Sequence, residues 1–216
     1  METADDVTRM RDVTRMRIVG GSLALDYVNT RSGPPDGPPG DDILHRYDDL
    51  VAWAGGIGLL DHAEVAALRR QAAEQPARAR AAYRRALEVR ELLDGLFRAA
   101  AMGGQPAAAD LTRLRDGAAE AYAHARLVPG AAGFRWGWPG QAELAGPLWP
   151  IVHAAVELLT TGPLDRIKAC GGCRFLFVDE SKNRSRRWCS MEDCGTAAKI
   201  RRYVARRAAT RAGAGG

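Results

Sequence analysis

The four cysteines of this chain, Cys170, Cys173, Cys189 and Cys194, fall within 25 residues of one another. They read C-x2-C, a gap of fifteen, then C-x4-C. That spacing lets two chelating pairs close around one tetrahedral ion. The chain's histidines (His45, His62, His124 and His153) lie elsewhere, so the predicted ligand set is all thiolate. Such a set leaves no open coordination position, and the chemistry it predicts is one structural Zn2+ rather than catalysis. Two disulfides would need an oxidising compartment. An iron–sulfur cluster also uses four cysteines, but paired spacing among clustered arginines favours zinc.

The elements that must hold these ligands can be read locally. Cys170-Gly171-Gly172-Cys173 is a zinc knuckle on a tight turn. Phe175 to Val178 is a β-rich run, and Arg186-Arg187-Trp188 is its candidate return strand. Cys189 and Cys194 precede a helix expected from Thr196 to Ala209. Knuckle, hairpin and ligand-bearing helix together predict a small treble-clef-like finger over 164–210. About 45 residues have too little core to fold alone, and structural zinc can supply on the order of 10 kcal/mol. Ile200, Tyr203 and Val204 form the apolar face of this helix and are expected to pack on Phe175, Phe177 and Trp188.

Charge is distributed unevenly. Residues 164–216 hold thirteen Lys/Arg against five Asp/Glu, a net of +8, whereas residues 1–163 hold eighteen against twenty-one, a net of −3. A basic end on a near-neutral body predicts a polyanionic partner, duplex DNA. The candidate nucleic-acid contacts are Arg174, Arg184, Arg186 and Arg187 from the hairpin, with Lys199, Arg201, Arg202, Arg206 and Arg207 from the helix. The competing reading is a solvated helix end, where arginines also suit the dipole.

Upstream, a tandem Val-Thr-Arg-Met-Arg duplication spans residues 7–17 without hydrophobic periodicity, and residues 1–16 are expected to be a disordered leader. Residues 17–162 predict a mainly helical α+β domain. Asp61 with Glu64 forms a capping box and Pro76 opens a long helix. Residues 125–129 and 134–138 read as a β-hairpin around a glycine-rich loop. Gly162-Pro163 is the expected boundary, and residues 211–216 a flexible tail. The segment Arg17 to Thr30 reads as a strand broken at Gly20-Gly21 and continued as a buried element. The polar residues Asp26, Asn29, Thr30 and Arg31 beside it are candidates for binding a small-molecule effector, or else caps of a buried turn. Trp136, Trp138, Trp149 and His153 are candidates to line a pocket, with core packing as the alternative.

No apolar run reaches the ~18 residues of a membrane span, and no signal-peptide pattern opens the chain, so a cytoplasmic protein is expected. Motifs for acyl transfer, phosphate cradling and metalloproteolysis are missing, so no catalytic residues are assigned.

The cysteine pairs with Arg187-Trp188-Cys189-Ser190-Met191, Cys194-Gly195 and Ala198 to Tyr203 resemble the CGNR zinc finger. Leu23 to Thr30 is similar to the opening signature of the ABATE domain. The resemblance implies a bacterial, stress-induced transcriptional regulator in which a mixed α/β domain precedes a zinc finger. If the finger binds DNA, the body is expected to sense a ligand or form a homodimer. The name-giving tetrad is altered here to Cys194-Gly195-Thr196-Ala197, which removes the Asn and Arg best suited to contact bases or phosphates. A protein–protein adaptor is the alternative, and an enzyme acting on a small molecule held by the N-terminal domain a more remote one.

Overall fold

The computed structural model describes Val13 and residues 16–131, 133–138 and 143–213. Most of the expected leader lies outside these residues. Val13, however, is buried in the core.

The body is built around a short buried helix, α1 (Leu23–Val28), where the sequence suggested a continuing apolar element of undefined type. Gly21, at φ +74°, turns the chain into it, a conformation side-chain-bearing residues adopt only with strain. Asp26 then fastens the turn by accepting from the backbone N–H groups of Val19 (3.1 Å) and Gly20 (2.7 Å). Burial pushes the Asp26 carboxyl pKa up, and these two hydrogen bonds oppose the shift.

Around α1 lie α2 (Tyr47–Gly56), α3 (His62–Glu74), α4 (Pro76–Ala101), α5 (Ala108–Ala123) and α6 (Leu148–Thr160). The capping box at Asp61 forms, with Glu64 N–H donating to Asp61 and Asp61 N–H to Glu64. Pro76 occupies the first turn of α4, where its missing N–H costs nothing. α1 packs against α4 and α6, and α5 against α6. The Tyr27 ring meets Trp53 at 5.4 Å, and its hydroxyl donates to Ala86 O. Strands β1 (Arg126–Gly130) and β2 (Gly133–Gly137) form the expected hairpin, with Leu127 opposite Trp136.

A second antiparallel pair follows a 3-10 turn: β3 (Ile167–Ala169) and β4 (Leu176–Val178), with Lys168 opposite Phe177. The knuckle is the loop of this hairpin. The candidate return strand at Arg186 to Trp188 is not a strand; β4 pairs backward with β3 instead. Ile167, Leu176 and Val178 belong to the same buried cluster as α1, α2, α4 and α6. Beyond Gly162-Pro163 the chain therefore both contributes these three side chains to the body's core and builds a small cluster of its own, in which Cys170, Phe177 and Cys189 are buried. The last helix, α7 (Thr196–Gly213), runs past the expected end at Ala209.

Candidate metal centre and basic helix

The knuckle closes because its backbone is tied at both ends. Cys170 N–H donates to Phe175 O at 2.9 Å, and Gly171 N–H to Arg187 O at 3.0 Å. Gly172 is demanded by proximity: a Cβ there would stand 2.9 Å from Cys194 Cβ, closer than side chains approach. Cys189 follows Trp188 from the loop, and Cys194 sits in a five-residue π-type turn, Met191–Gly195, leading into α7. Ser190 caps that turn by accepting from Asp193 N–H at 3.2 Å.

These constraints bring all four Sγ atoms within 4.8 Å of one another. Cys173 and Cys189 sulfurs are 3.5 Å apart, and Cys189 and Cys194 sulfurs 3.8 Å. A tetrahedron with Zn–S bonds of ~2.3 Å has edges of about 3.8 Å, so the donor set fits a zinc ion with little adjustment. The electrostatics point the same way. Hydrogen bonds from Cys173 and Cys189 pull the Cys170 thiol far below its usual range, with backbone N–H groups of Cys189 (3.2 Å) and Gly172 (3.4 Å) also pointing at its sulfur. The hydrogen bond to Cys170 pushes Cys173 up to about 12, and bonds to Cys170 and Cys173 push Cys189 higher still. Burial raises Cys194. Only Cys170 is thus favoured as a thiolate in the absence of metal, and a divalent cation among the four sulfurs would supply the charge that lets all of them ionise.

The finger is clamped to the body by side chains from both. Arg186 lays its guanidinium 4.3 Å from the centre of the Phe177 ring. It donates to the carbonyls of Trp188 (3.1 Å), Val178 (3.4 Å), Val19 (3.2 Å) and Cys189 (2.6 Å). Arg174 pairs with Asp94 of α4, its N–H donates to Gly33 O, and its carbonyl accepts from Arg98. Arg184 pairs with Asp165. Three of the nine cations expected to face nucleic acid are thus engaged within the protein. Arg187 is exposed beside Trp188, its guanidinium 5.5 Å from the ring centre. Lys199, Arg201, Arg202, Arg206 and Arg207 are exposed on α7.

The expected packing of α7 on the finger does not occur. Ile200, Tyr203 and Val204 are 57, 59 and 59% exposed. Phe177 is already covered by Arg186, and Trp188 lies against Gly171 and Gly172. Phe175 and Trp188 stay half-buried without the helix's apolar face closing over them. From Lys199 to Arg207 each residue is exposed, and Ala198 is the last buried one among the described residues.

The four polar residues proposed to bind an effector are occupied internally. Asp26 holds the Gly20 turn. Asn29 donates to and accepts from the backbone of Leu176. Thr30 donates to Tyr27 O and accepts from Arg90, while Arg31 pairs with Glu91. Asn29 and Thr30 nevertheless line a cavity of about 250 Å3 between body and finger, bounded by Val19, Phe175, Cys189 and Asp193. Arg17 crosses its rim, donating to Ser190 (3.2 Å) and Asp193 (2.5 Å). Trp136, Trp138 and His153 line another cavity, of about 320 Å3. Trp149 lies apart from it, stacked on His124 at 4.0 Å. Arg17, Asp94, Arg98 and Lys168, which donates to the buried Asp179 at 2.6 Å, escaped the sequence reading. Asp94 and Arg98 pair with each other four residues apart on α4, but their ties to Arg174, like those of Arg17 to Ser190 and Asp193, span more than seventy residues.

A helical α+β body with an all-cysteine site and a projecting basic helix defines a zinc-finger protein. The ABATE family model, described as a putative stress-induced transcription regulator, matches residues 21–162, and the CGNR zinc finger matches residues 166–207. The chain belongs to the ABATE family and carries a CGNR zinc finger. No curated protein matches it. In the altered tetrad, the Thr196 hydroxyl donates to Met191 O at 3.1 Å and so serves the turn. No helix among the described residues is long and apolar enough to cross a membrane.

Proposed function

We propose that this protein is a DNA-binding transcriptional regulator whose finger holds one structural zinc ion and presents α7 to duplex DNA. The observation that carries this reading is α7 itself. It follows directly on the turn that holds Cys194, is exposed from Lys199 to Arg207, and presents five cations there. Phosphate contacts need reach and positive charge, and 18 helical residues give about 27 Å of both. The body regulates: the cavity shared by Asn29, Thr30 and Cys189 is the effector site in this reading, because an occupant touches both body and a zinc ligand.

A salt titration of duplex binding tests the DNA reading. Affinity should fall with a log–log slope of about 0.9 per phosphate neutralised. Arg202→Ala with Arg206→Ala should weaken binding and lower that slope by nearly two. A zinc-loaded protein with no affinity for genomic fragments at low salt would refute it. Selecting genomic fragments with and without cell extract tests the effector, which should change the bound set.

A further inference from the structure

Cations explain how α7 holds phosphates but not why it exposes three bulky apolar side chains. Ile200, Tyr203 and Val204, with Arg207, stand at i, i+3, i+4 and i+7, a single stripe along the helix. Arg207 reinforces it: its guanidinium lies 5.6 Å from the Tyr203 ring centre, and Nη1 donates to the Tyr203 hydroxyl at 3.1 Å. Lys199, Arg202 and Arg206, at i, i+3 and i+7, form the adjoining stripe. The apolar strip is therefore rimmed by positive charge.

That rim decides what can cover it. Between Thr196 and Gly213 the helix has no Asp or Glu. Packing the strips of two copies, at the roughly 8–10 Å of a helix pair, would crowd Lys199, Arg202, Arg206 and Arg207 from both with no carboxylate on either helix to offset them. A polyanion with apolar groups between its charges fits instead. The major groove of duplex DNA admits a helix between two phosphate walls, and the apolar group on its floor is the C5-methyl of thymine.

We propose that Ile200 and Val204, steadied by Tyr203, read thymine methyl groups in the major groove. This rests on the reading of α7 as the DNA-contacting helix. It assigns base discrimination to side chains a full turn beyond the tetrad, where Thr196 and Ala197 stand.

The test uses the full-length, zinc-loaded protein and two 20-base-pair duplexes of identical charge, alternating dA–dT and alternating dA–dU, followed by fluorescence anisotropy at fixed salt. Replacing dT by dU removes only the methyl group. The dA–dU duplex should bind about fourfold more weakly per contacted methyl. Ile200→Ser with Val204→Ser should abolish the difference while leaving the salt slope intact. Equal binding of both duplexes overturns the methyl reading and leaves DNA binding standing. Binding of neither duplex at low salt removes both. A wild-type dimer in sedimentation that the double variant converts to monomer would assign the strip to a second copy and overturn the proposal.

Discussion

The side-chain amide of Asn29 makes a two-way hydrogen bond with the backbone of Leu176, 147 residues away. Nδ2 donates to Leu176 O and Oδ1 accepts from Leu176 N–H, both at 2.9 Å. One amide thus acts as a neighbouring strand for β4 and ties the finger to the end of α1. Both groups are buried, and neither has water to replace its partner.

Asn29→Ala should therefore destabilise the whole chain. Each orphaned backbone group costs about 1–3 kcal/mol, readable as a lower denaturation midpoint. An unchanged midpoint would mean that the amide is dispensable.

Zinc removal should reach beyond the finger. Because Leu176 and Val178 lie in the body's core, Cys173→Ser or a strong chelator should lower the thermal midpoint of the entire protein, together with loss of one equivalent of metal. A body that melts unchanged while the finger unfolds would contradict the shared core.

The arginines should divide into two groups. Arg186→Ala strips donors from four carbonyls and should cost about 3 kcal/mol or more, since hydrogen bonds from charged groups are worth about 1.5–3 kcal/mol each. Arg202→Ala and Arg206→Ala should stay within about 0.5 kcal/mol of wild type while reducing DNA affinity. Equal losses of stability in all three would erase the distinction.

Acid should loosen the loop after β4. Burial opposes ionisation of Asp179, but hydrogen bonds from Lys168 and Ser181 outweigh it and hold the carboxyl below the usual carboxylate range. A depressed folded-state pKa contributes stability that is complete above about pH 4 and disappears as pH falls through the folded value. The stability gap between wild type and Asp179→Asn should shrink from pH 7 towards pH 3. A constant gap would show that the charge is not what holds the loop.

What the sequence reveals and conceals here follows from distance along the chain. The cysteine quartet, the Asp61–Glu64 cap and the Pro76 helix start are written within a few residues each, and they form as read. Asn29 and Leu176, or Arg174 and Asp94, meet only after folding, and no periodicity announces them. Arg186 and Arg187 are adjacent and chemically identical, yet one is sewn into four carbonyls and the other is exposed. The apolar stripe of α7 was visible as a stripe. Its exposure was not, because that depends on Arg186 having already covered Phe177.

The placement of Ile167, Leu176 and Val178 in the common core also has a consequence for synthesis. A chain emerging from the ribosome cannot finish its body when Gly162 clears the exit tunnel, because three side chains of that core are still inside it. Completion waits for Val178, and the second cysteine pair follows within 16 residues. Metal capture and closure of the body thus fall in one short interval of translation. A protein truncated at the apparent boundary would leave the ribosome with its interior open.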